Sequence, residues 1–108
     1  MVSLFDELVA VKVGINAAVI LQYIGDHVVW CKANSADYHD GYYWVQSSLK
    51  AFKKQFPYLG EKQIRTALNK LISEGLIIEG NYNESPFDRT LWYALTDKGA
   101  ALLYGEEV

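Results

Sequence analysis

The stretch FPYLGEKQIRTALNKLISEGLI, from Phe56 to Ile77, limits the possible folds more than any other part of the chain. Pro57 cannot continue a helix from its N-terminal side, because it lacks a backbone donor and its ring clashes with the preceding turn. Beyond it, Ile64, Leu68, Leu71 and Ile72 recur at helical spacing and predict one apolar side of a helix over 61–74. Gly75 suits the left-handed position that closes a helix, where a β-carbon is penalised. Leu76, Ile77 and Ile78 then begin a strand. A helix this short is marginal alone, so its apolar side requires other elements to cover it.

Those elements are legible on either side. Tyr42, Tyr43, Trp44 and Val45 favour a short strand, and Ser47 or Ser48 can cap a helix carrying Leu49, Phe52 and Phe56 on one stripe. Upstream, Ser3 with Asp6 forms a capping pattern for a helix over 4–13, which Gly14 interrupts. A second helix is predicted over 15–29, with Ile15, Ala18, Val19, Ile20, Tyr23, Ile24 and His27 at helical spacing. Gly25 within it costs about 1 kcal/mol of propensity and points to close packing or to nothing at all. Residues 32–41 are polar and rich in breakers, so a loop is expected. After 76–78 come a polar turn over 80–88, a strand over 90–95, Thr96 as an N-cap, a helix over 97–104 and a frayed tail.

The order is a single domain, mainly α with a small three-stranded β-sheet, and it is that of a winged helix-turn-helix: two helices joined by a tight turn, then a hairpin over 76–95. In such a fold the first helix braces the second, which enters a major groove of DNA, while the hairpin reaches backbone or minor groove.

Composition agrees with a folded domain, since the 108 residues are 51% hydrophobic and 21% charged. No apolar run approaches the roughly 18 residues of a membrane span, and Met1 is not followed by a basic segment. The single cysteine, Cys31, forms no internal disulfide, so a cytoplasmic chain without membrane association is expected. Net charge is -3, but it is unevenly spread: residues 50–70 carry six cations against Glu61 alone, and both flanks are acidic. A local field of this kind matters more to docking than the total.

On the exposed sides of the helix over 61–74, Gln63, Thr66 and Asn69 are candidates to read base edges, with Lys62 and Arg65 offering longer reach. Lys50, Lys53 and Lys54 on the bracing helix are phosphate candidates, as are Lys70 and Arg89. Lys70 also suits the negative end of its helix. Arg89, the only cation of the hairpin turn, can instead pair with Asp88 or Glu84, the reading slightly favoured here. Tyr82 and Phe87 can contact a partner or pack back on the body, with packing the favoured reading, and Trp44, Trp92 and Tyr93 are expected to hold the sheet against the helices. Tyr38, Tyr42, Tyr43 and Tyr58 make a poor single-strand platform because Tyr38 lies among acids. His27 and Cys31, with His39 and Asp37 or Asp40, make a weak metal set, and core packing is the preferred reading of the first two. No Ser–His–acid order or phosphate-binding glycine loop has fitting context, so no enzyme activity, cofactor or small-molecule substrate is expected.

Three segments resemble a known family: INAAVILQYI (15–24), DGYYWVQSSLKAFKKQFPYLGEKQIRTALNKLISEGLI (40–77) and GNYNESPFDRTLWYAL (80–95). They are similar to the N-terminal winged-helix domain of replication initiators and replisome organisers from phages, prophages and plasmids of Gram-positive bacteria. The resemblance implies binding of double-stranded DNA near an origin and replication proteins as partners. A helicase-loading segment, carried by larger members, is not visible in this chain. A homodimer is expected if the target is palindromic. The competing expectations are a protein-interaction module and a transcription regulator on the same scaffold.

Overall fold

A computed structural model describes residues 10, 11 and 13–104. The helix expected over 4–13 lies largely outside these residues; Ala10, Val11 and Val13 are helical. The described elements are α1 (Ile15–Asn34), β1 (Tyr38–His39), β2 (Tyr42–Ser47), α2 (Leu49–Gln55), α3 (Glu61–Ser73), β3 (Ile77–Gly80), β4 (Leu91–Leu95) and α4 (Asp97–Tyr104). The chain is thus a mixed domain of helices and one four-stranded antiparallel sheet, in the order β1-β2-β4-β3. No helix among the described residues is long and apolar enough to cross a membrane.

Gly14, at φ 89°, breaks the helix before Ile15 as its sequence position predicts. α1 is the central helix, with Ala17 to Leu21, Ile24 and Cys31 buried, whereas Ile15, expected on the apolar side, is exposed. It runs five residues past the predicted end at 29. It stops at Ser35, which is left-handed at φ 52° and donates its N–H to the Lys32 carbonyl, while Ala36 donates to Cys31 at 2.9 Å. This paired closure satisfies the last carbonyls, so the breakers in 32–41 terminate a helix as well as forming a loop. Residues 38–39 then pair with Tyr42 and Tyr43 through a turn at Asp40 and Gly41, adding a fourth strand to the three expected.

The sheet is buried on both faces. Val45, Ile77 and Tyr93 join the main core with the helices, while Trp44, Trp92 and Ala94 form a second cluster with Ile78 and Tyr82. Side chains alternate along a strand, so the two tryptophans cannot share a face with Val45 and Tyr93. The expectation that Trp44 and Trp92 hold the sheet to the helices is therefore corrected: only Tyr93 does so. On the other face Trp44 donates its indole N–H to the His39 carbonyl at 2.8 Å.

Helix α4 closes the far end. Thr96 is its N-cap, accepting the Gly99 N–H at 2.9 Å through its hydroxyl oxygen. A β-carbon at Gly99 would overlap the Leu76 carbonyl, and one at Gly25 would overlap the Leu103 side chain. Backbone cannot yield as a flexible side chain can, so Gly99→Ala is expected to destabilise the fold by about 1 to 3 kcal/mol. Thermal unfolding measures this directly, and an unchanged midpoint would mean that α4 is free to shift.

Candidate nucleic-acid interface

Helix α3 is fixed at both ends before its outer face is considered. At its start, the Gly60 N–H donates to Gln63 Oε1 at 2.9 Å, and the Leu59 N–H donates to the Phe56 carbonyl at 3.0 Å. Phe56 and Leu59 are buried, and Lys53 Nζ donates to the Pro57 carbonyl at 2.9 Å. Ser48 caps α2, its Oγ accepting from the Ala51 N–H at 3.0 Å. The two helices and their turn are thereby one rigid corner. At the other end Gly75 takes φ 73°, and Gly75 and Leu76 donate to the Ile72 and Leu71 carbonyls, each at 3.0 Å. Thr96 Oγ1 and Lys98 Nζ donate to the Gly75 and Glu74 carbonyls at 2.7 and 2.8 Å. Carbonyls at a helix end lack partners within the helix; here the start of α4 takes two of those at this end.

Between these ends Ile64, Ala67, Leu68 and Leu71 are buried, with Ile72 half-buried. All five base-reading candidates, Lys62, Gln63, Arg65, Thr66 and Asn69, are exposed, as is Lys70. They do not form one patch. Arg65 lines a groove of about 830 Å³ shared with the β3–β4 hairpin, where Arg89, Asn81 and Asn83 face it along with the acids Glu61, Glu79 and Asp88. Lys62, Gln63, Thr66 and Lys70 line a second groove of about 600 Å³ against the start of α1, with Ile15 and Asn16 opposite. Gln63 is committed through its carbonyl oxygen to the helix cap, which leaves only its amide N–H₂ group for any other contact. Lys70 Nζ lies 3.6 Å from Glu74, an exposed pair of small worth. On α2, Lys50 and Lys54 are exposed, whereas Lys53 is half-buried and tied to the turn.

The hairpin loop, residues 81–90, departs from expectation at three positions. Arg89 makes no ion pair within 4.0 Å among the described residues. The Asp88 Oδ1 accepts the Thr90 hydroxyl at 2.7 Å and the Thr90 N–H at 2.9 Å. Those two bonds, the hydroxyl first, hold the Asp88 carboxyl below its usual range. Tyr82 packs as expected, stacked on His39 with ring centroids 4.6 Å apart and edge-on to Trp44 and Trp92. Its hydroxyl donates to Asp40, and that bond raises its pKa. Phe87 does not pack; it is 89% exposed. The residue that organises the loop is Asn83, which sequence reasoning missed. Its Nδ2 donates to the Asp88 and Thr90 carbonyls at 3.2 and 2.9 Å, and its Oδ1 accepts the Trp92 indole N–H at 2.7 Å. The available signal was NYN in a turn, since Asn side chains commonly bond nearby backbone.

Cys31 is buried, and burial pushes its thiol up, with Asp37 adding to the effect. Tyr93, edge-on to Phe52, is pushed up to about 12 by burial first and by Glu79 second, while Arg65 opposes them. Comparison with protein families, curated proteins and solved structures yields no match.

Two outcomes are expected. The unfolded state loses the Tyr93 proton near its ordinary value of 10 and the folded state near 12, so this residue's contribution is intact below pH 10 and disappears as pH rises through 12. Denaturant midpoints should fall across that window, and Tyr93→Phe should flatten the fall. Asn83→Ala should leave the Trp92 indole N–H without its partner and cost about 1 to 3 kcal/mol; an unaltered urea midpoint would show that the loop is held by its stacked rings alone.

Proposed function

We propose that this chain is a winged helix-turn-helix domain that binds double-stranded DNA for a phage- or plasmid-type replication protein, with α3 in the major groove and the β3–β4 hairpin as the wing. The sheet order supports the winged-helix reading: β2 pairs with β4 and β4 with β3, so the hairpin comes back beside α3. One observation carries the functional reading. α3 is buried along one side, closed at both ends, and exposes Lys62, Gln63, Arg65, Thr66, Asn69 and Lys70 on the rest, with Arg65 and Arg89 lining one groove. A helix so presented fits a major groove about 12 Å wide. Lys50 and Lys54 on α2 are placed for phosphate, while Lys53 already serves the turn. Replication, as opposed to transcription, is favoured by the resemblance of residues 15–24, 40–77 and 80–95 to replication initiators.

The acids in the groove suit selective rather than general binding. Glu61, Glu79 and Asp88 repel phosphate wherever the cations are not docked on it, and a net charge of -3 lowers affinity for DNA at large. A second reading, an interaction module, is favoured by the exposure of Val29, Trp30 and Tyr38. In a replication protein such surface would serve a homodimer or a replication partner.

Titration of random and origin-derived duplexes across salt concentrations tests the proposal. Each phosphate contact should contribute about -0.9 to the log–log slope. The combined variant Lys62→Ala, Arg65→Ala, Lys70→Ala should bind weakly with a shallower slope. If the folded wild-type chain binds no duplex at low salt, the interaction module becomes the better reading.

A further inference from the structure

We propose that the turn between β1 and β2 sets the posture of the wing, with Asp40 and Tyr82 as the positioning pair, a role that rests on the duplex-binding reading above. Neither residue lines the groove beside α3, but the neighbours of Tyr82 do: Asn81 and Asn83 line it with Arg65 and Arg89. Tyr82, between the two asparagines, is turned instead onto the outer face of the sheet, stacked on His39 and edge-on to Trp44 and Trp92. There its hydroxyl donates to Asp40, 42 residues away in the chain.

The turn is built to hold that acceptor in place. β1 has two residues, and its two pairs, Tyr38 with Tyr43 and His39 with Tyr42, are too few to fix an edge hairpin by themselves. Bonds from β2 supply the rest. Trp44 donates its backbone N–H to the Asp37 carbonyl at 2.9 Å and its indole N–H to the His39 carbonyl at 2.8 Å, and Gln46 Nε2 donates to the Asp37 carboxylate at 2.6 Å. Asp37 and Asp40 both hold left-handed backbone at φ 53°, which non-glycine residues adopt at a cost and keep where surrounding contacts fix them.

The ring and the hydroxyl of Tyr82 have different parts. The ring supplies apolar contact, shared with Trp44 and Trp92. The hydroxyl bond is exposed and adds little to global stability. It is directional, however, so it selects one placement of Tyr82 on the cluster. Asn83 follows in the chain, and its side chain bonds the Trp92 indole and the Asp88 and Thr90 carbonyls. The placement of Tyr82 is thereby passed to the loop that carries Arg89.

The test pairs Tyr82→Phe, which removes the hydroxyl and keeps the ring, with Asp40→Gly, which removes the carboxylate and tolerates the left-handed turn. Exchange of the Trp92 indole N–H, followed by NMR on the full chain, reads the loop without DNA. It should quicken about three- to ten-fold in each variant and no further in the double variant, while the backbone N–H groups of α3 keep their wild-type rates. Duplex binding should weaken by a similar factor in both, although neither residue lines the groove. Asp40→Asn, which keeps an acceptor, should bring exchange and binding back toward wild type. The pair is overturned if indole exchange is unchanged in both single variants, or if their effects multiply in the double variant. A loop that loosens with no loss of duplex affinity overturns the positioning role. Absence of duplex binding by the folded wild-type chain would instead remove the DNA reading, and indole exchange would still decide whether the pair holds the loop.

Discussion

The outer face of α3 depends on the burial of Ile64, Ala67, Leu68 and Leu71 beneath it. Thirteen residues are too few for a stable helix in water. Contact with α1 and α2 supplies what local propensity lacks, and the bonds at Gly60, Gly75 and Glu74 satisfy the ends. The opposite side of the helix is then relieved of structural duty, with Gln63 the exception. This division explains how a small domain can place several polar side chains on a rigid helix without loss of core.

Local signals in the sequence were read well where one residue decides the outcome. Pro57, Gly75 and Thr96 each mark an element end because φ or a single side-chain bond is at stake, and the structure places ends there. The end of α1 was missed by five residues because Ser35, not a glycine, takes the left-handed position. β1 was missed because two residues carry no periodicity and are defined only by their partners Tyr42 and Tyr43. The division of the sheet's two faces is carried by neighbours in the sequence: Trp44 and Val45 are adjacent, as are Trp92 and Tyr93, so each pair must divide between faces.

The candidate site divides in the same way. Exposure along α3 followed from the 3.6-residue period. Which cations share a groove did not, because Arg65 and Arg89 are brought together by the sheet pairing that returns the hairpin to α3. The absence of an ion pair at Arg89 among the described residues was likewise hidden, since a charge count does not say where neighbouring side chains are placed.

The second hydrophobic cluster also gives the molecule a built-in optical sensor. The three tryptophans of the chain occupy different surroundings: Trp44 and Trp92 of this cluster lie 3% and 7% exposed behind the sheet, and Trp30 is 54% exposed on α1. The Trp92 indole is bonded to Asn83, so its emission is coupled to the posture of the loop. Light from the buried pair and light from Trp30 can be separated by an aqueous quencher. Movement at the hairpin and occlusion of α1 therefore carry distinct spectral signatures in the unlabelled protein.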